Sequence, residues 1–162
     1  MFPITPSFNN GDLLMKPSAP QTDEELLARA VAVIRNLCDW FGVTPQWSIL
    51  VSITDFDEGS AHSAQVAWPT LYKKVSFFIG RKQMNQLCDR EFVQYLAHEV
   101  IHIIFAPLDD LLKEEVGPKS YVQFRYCDIR EGVVDSLTNC FMKAWEGGEV
   151  TFYTDIKKGP VT

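Results

Sequence analysis

Of the 162 residues only three are histidine and four are cysteine, and no two cysteines form a C-x-x-C pair. The spacing signals neither a zinc ribbon nor a redox dithiol, so Cys38, Cys88, Cys127 and Cys140 are expected to be reduced and mostly buried. There is no basic stripe either: 15 Lys and Arg lie scattered against 21 Asp and Glu, a net charge of −6. That balance argues against direct nucleic-acid contact, which needs clustered cationic surface. No stretch approaches the roughly 20 apolar residues of a membrane span, and the first residues lack a basic region followed by an apolar one. The expectation is a soluble, cytoplasmic protein that does not enter a membrane. Internal repeats and low-complexity tracts are also missing.

What is present suffices for one core, since 46% of the residues are hydrophobic and 12% aromatic. Residues 1–21, rich in Pro, Asn and Ser, read as an extended or partly ordered leader; 22–145 as a single domain; 146–162 as a tail or an edge strand. Thr22 with Glu25 three residues later forms a capping box. Leu26, Ala30, Val33, Leu37 and Phe41 then repeat at helical spacing up to Gly42. Three strand-like runs follow, "QWSILVSIT", "SAQVAWP" and "LYKKVSFFIG", the last alternating Val75, Phe77 and Ile79 against Lys74, Ser76 and Phe78. A helix apolar nearly all round is expected from about Asp89 to a break at Ala106-Pro107. "LDDLLKEEVGPKS" then reads as a charged connection, and a long helix from about Tyr121 to Trp145 stops at Gly147-Gly148. The fold class is α+β, with a small mixed sheet of three to four strands.

Inside the buried helix His98, Glu99 and His102 form H-E-x-x-H, a coincidence expected in roughly one shuffled chain of this composition in 400. Residues four apart lie nearly above one another on a helix, so both imidazoles can reach one ion while Glu99 stands about 100° round. Zn2+ suits that set: two neutral imidazoles bind the cation, and a nearby carboxylate can take a proton from water. Two histidines alone do not close a site. A third histidine six residues on would fall at Leu108, with Gly at Phe105, which excludes that three-histidine pattern and leaves His62 or a carboxylate. On the last helix Cys127, Glu131, Val134, Thr138, Phe141 and Trp145 share one stripe, so Glu131 lies in a mostly apolar face with Asp135 one turn on. A cation between the helices would satisfy both carboxylates. The plainer alternative is that Glu131 and Asp135 pair with Arg125, Arg130 or Lys143.

"HEVIH", followed some thirty residues later by a helix carrying "EGVVD", resembles the gluzincin branch of zinc metallopeptidases. The resemblance implies a minimal zincin-like core, His98, His102 and Glu131 as metal ligands, Glu99 as general base, and Asp135 as the carboxylate that orients a histidine. "HEVIHIIFAPLDDL" is also similar to small metallopeptidase-like proteins of phages and prophages. In zincins an extended peptide pairs with an edge strand before the motif helix, which here would be "HSAQVAW" (His62–Trp68). His62, Tyr121 and Tyr126 are the candidates for steadying a reacting oxygen. The function expected is hydrolysis of a peptide or protein substrate. The competing expectation is a non-catalytic, zinc-stabilised binding or structural module with a closed, four-ligand site that includes Asp135 or His62.

Overall fold

A computed structural model describes residues 21–43, 47–56, 64–67, 73–116 and 121–148. Thr22 caps helix α1 (Asp23–Trp40): its side chain accepts from the Glu25 backbone N–H, and Glu25 reaches back to the Thr22 N–H at 3.0 Å. The helix ends before Gly42, whose φ of +70° is a conformation that glycine adopts without a Cβ penalty. Leu26, Ala30, Val33 and Leu37 are fully buried, as their spacing requires.

Strands β1 (Ser48–Thr54), β2 (Ala64–Ala67) and β3 (Lys74–Gly80) form a three-stranded mixed sheet in the order β1-β3-β2. β3 is central because its inward residues are the apolar ones: Val75, Phe77 and Ile79 are buried while Lys74 is exposed. β1 runs parallel to it from Ser48↔Lys74 to Thr54↔Gly80. β2 pairs antiparallel, from Ala64↔Ile79 to Ala67↔Ser76, and is an edge of the sheet among the described residues. After the short helix α2 (Arg81–Met84) come α3 (Asp89–Val116) and α4 (Tyr121–Glu146). The class is therefore α+β, with four helices and three strands among the described residues.

The core lies where α1, the sheet and the first half of α3 meet, and Phe141 and Met142 bring the end of α4 into it. Phe141 packs against Trp40 at the end of α1 and Phe41 just after it, ring centroids 5.0 and 5.5 Å away. Arg29 is buried at the α1–α3 contact because Asp89 pairs with it and the Phe92 ring lies 3.9 Å beneath its guanidinium carbon.

Two expectations are corrected. The helix carrying the motif does not break at Ala106-Pro107 but runs on to Val116, so the segment read as a connection is largely helical. A proline inside a helix removes one backbone hydrogen bond. Here Pro107 sits on the exposed side between buried Ala106 and buried Asp109, and Asp109 is tied to Arg130 of α4. That tie holds the turn after the proline against its neighbour. The cysteines are also less buried than expected: Cys38 and Cys88 are buried, but Cys127 is half-buried and Cys140 exposed. None is in a disulfide. No helix among the described residues is long and apolar enough to cross a membrane. The expected leader up to residue 20 and the tail beyond 148 lie outside the described residues.

Candidate metal centre

His98 and His102 occupy successive turns of α3, and their side chains point toward α4. His98 Nε2 lies 3.0 Å from His102 Nε2. Glu131 Oε2, from α4, is 3.7 Å from the first and 3.4 Å from the second. The side-chain stripe read from the sequence does bring Glu131 to this point, with Val134, Thr138 and Phe141 below it buried in the core. These three residues are a group that could hold a metal ion.

The triangle can be tested against a known ion. Ligand atoms about 2.0–2.1 Å from a tetrahedral zinc lie about 3.3 Å apart, and the observed sides of 3.0, 3.4 and 3.7 Å bracket that value. Without a cation, two imidazole nitrogens in hydrogen-bond range need a proton between them, because two lone pairs repel. One cation would accept both lone pairs and neutralise the Glu131 carboxylate. The far nitrogen of His98, Nδ1, lies 3.2 Å from Asp135 Oδ1. A proton on Nδ1, donated to Asp135, leaves the lone pair on Nε2, the atom that faces the triangle. Asp135 thus stands behind an imidazole and not at the triangle.

Glu99 is turned the other way. Its Oε2 accepts the Val66 backbone N–H at 3.0 Å, on the outer side of edge strand β2. Burial pushes its carboxyl up to about 7, against the Val66 hydrogen bond, which lowers it, and with a further push from the charge of Glu131. Glu131 behaves in the opposite sense. Burial raises its pKa, but the Arg130 hydrogen bond and the charges of His102, Arg130 and His98 outweigh that and hold it below the usual carboxylate range. Burial also pushes His102 down to about 4, against the attraction of Glu131, so it is neutral at pH 7, the form in which an imidazole binds a metal.

A cleft of about 660 Å³ opens beside the histidines, bordered among others by Ala64, Gln94, Tyr95, His98, Glu99 and Asp135. Of the tyrosines singled out from sequence, neither borders it. Tyr121 is 75% exposed at the start of α4, and the Tyr126 hydroxyl is buried, its pKa raised first by that burial and then by Asp109. Tyr95 takes their place at the cleft, and its position one turn before Glu99 was the signal that could have found it. His62 lies outside the described residues, as do the two ends of the expected edge strand, of which Ala64–Ala67 is strand β2. The plainer pairing for Glu131 is realised in part: its Oε1 accepts from Arg130 Nη2 at 2.8 Å while Oε2 faces the histidines. Sequence reasoning missed Asp109, which pairs with the same guanidinium. Continuing the helical spacing from His102 through Ala106 to position 109 would have found it. No protein-family model, curated protein or solved structure matches the chain.

Proposed function

We propose that the protein is a zinc-dependent peptide hydrolase of gluzincin type. The observation that carries this reading is the convergence of His98 Nε2, His102 Nε2 and Glu131 Oε2, at separations of 3.0, 3.4 and 3.7 Å, beside a second carboxylate that is not part of the triangle. The order of helix, mixed sheet, motif helix and glutamate helix resembles a minimal zincin core. Zinc held there would supply Lewis acidity, making water nucleophilic near neutral pH and drawing charge from a carbonyl oxygen.

The chain's own residues supply the rest. Glu99, with a pKa near 7, can take a proton from water and return it to a leaving amine at the same pH. Asp135 keeps His98 in the tautomer that binds through Nε2. An extended peptide would lie along the outer edge of β2, where the Val66 N–H that Glu99 now accepts is a backbone donor. The bond to be cut then passes between β2 and the histidines.

The test is elemental analysis of the purified chain, followed by digestion of a peptide library with and without a chelator. One zinc per chain and chelator-sensitive cleavage are the expected results. One zinc per chain, a four-ligand site and no cleavage would replace this reading with the structural module. Absence of bound metal after incubation with zinc would overturn both.

A further inference from the structure

We infer that Asp109 and Arg130 form a positioning pair that aims Glu131 at the metal, an inference that rests on the metal-site reading above. Neighbouring residues on a helix point about 100° apart and do not ordinarily face each other. Arg130 nevertheless bonds the carboxylate of Glu131 next to it, Nη2 to Oε1 at 2.8 Å. The reason lies on the other helix. Asp109 Oδ2 of α3 binds Nη1 of the same guanidinium, drawing Arg130 across the α3–α4 seam and over Glu131. Asp109 is 4% exposed and the Arg130 side chain 17%, so the fork is anchored in the interior rather than on the surface.

Two consequences follow for Glu131. With Oε1 occupied by Arg130, the carboxylate presents Oε2 to His98 and His102, which is the orientation a single-oxygen ligand needs. The Glu131 side chain is 45% exposed and would otherwise be free to swing toward solvent. Charge is the second consequence. A lone guanidinium beside a cation site would repel the ion, but Asp109 cancels it, so the pair contributes orientation without net positive charge and Glu131 keeps its own charge for the metal. Asp109 lies two residues past Pro107, on the part of α3 that continues beyond the proline.

The experiment uses the full chain and measures zinc affinity by chelator competition, the visible spectrum of the cobalt(II) form, and the metal-free thermal midpoint. In Asp109→Leu/Arg130→Met an apolar pair replaces a buried ion pair, an exchange that folded proteins often accept without loss of stability. This variant is expected to bind zinc about 10- to 100-fold more weakly and show altered cobalt bands, with the metal-free midpoint separating a lost orientation from the loosened turn after Pro107. Arg130→Lys, which keeps the charge but cannot fork between two carboxylates, should lie between it and wild type. A folded double variant with wild-type zinc affinity and an unchanged cobalt spectrum overturns the inference. If the double variant does not fold, unchanged affinity in Arg130→Lys overturns it. Wild-type protein that binds no metal overturns the metal-site reading itself, a different result from either.

Discussion

Glu99 and Glu131 stand on opposite walls of the same histidine pair, and the two walls treat one chemical group in opposite ways. On the sheet side, Glu99 is desolvated, and its carboxyl is pushed up to about 7 against the Val66 N–H it accepts. On the α4 side, Glu131 is half-exposed, bonded to Arg130 and faced by two imidazoles, and is held ionised below the usual range. Environments that drive two carboxyls apart assign them different work: one can exchange a proton near neutral pH, the other offers a permanent charge. In the proposed hydrolase these are the base and the ligand.

The largest effect should come from removing the base while leaving the ligands. Glu99→Gln should keep one zinc per chain and lower peptide turnover by about 10²- to 10⁴-fold, checked by kinetics beside elemental analysis. Turnover within a few-fold of wild type would break the division of roles. Removing the other carboxylate should do the reverse. Glu131→Ala should weaken zinc binding by more than about 100-fold, beyond the loss typical of outer partners, and reduce the stabilisation that zinc confers. A chelator titration and melting curves with and without zinc measure both. Unchanged zinc affinity there would move the third ligand elsewhere, with His62 as the first candidate.

The contrast can be sharpened through pH in the metal-free protein. Glu99 is raised from 4.5 to about 7 on folding, so the folded chain binds the extra proton and stability is lost as pH rises across that interval. His102 is lowered from 6.5 to about 4, so its contribution is present above 6.5 and is lost as pH falls toward 4. The two slopes oppose each other. Glu99→Gln removes the first, and the metal-free variant should gain on the order of 2 kcal/mol above pH 7. Between pH 4 and 6.5 its stability should then rise with pH, which denaturant melts across that range would register. A variant whose stability falls with pH across that interval would show that Glu99 is not the desolvated group. The smallest effect belongs to Asp135. Its side chain is 66% exposed, and Asp135→Ala should cost about 10-fold in zinc affinity, the lower end for a residue behind a ligand. A loss as large as that of Glu131→Ala would instead make Asp135 a ligand.

Much of the scaffold was legible because its signals are local. The Thr22–Glu25 capping box, the period of α1 and the alternation of β3 each reflect a neighbour a few residues away. The spacing of His98 and His102 is local as well, since a helix brings residues four apart together whatever surrounds it. Glu131 was reachable through its stripe, and Asp135 through its place one turn later. The end of α3 was not legible. Pro107 is a local stop signal, overridden by a buried ion pair between positions 21 residues apart. Tyr126 read as a catalytic candidate for the same reason: sequence shows a tyrosine near the motif glutamate, but not that its hydroxyl is buried next to Asp109.

By itself the sequence determined the ingredients: an α+β chain, a motif helix that turns two histidines to one side, and a second helix with carboxylates at helical spacing. Only the tertiary structure decided which oxygen meets which nitrogen. That choice depends on α4 lying against α3 so that Glu131 faces the histidines, on β2 lying close enough to offer Val66 to Glu99, and on Asp109 reaching Arg130. Helical periodicity sets directions around a single axis, whereas a site assembled from two helices and a strand depends on distances between axes. Those distances are set by packing of the core at Phe92, Leu96, Val134 and Phe141, a property of the whole chain rather than of any stretch within it.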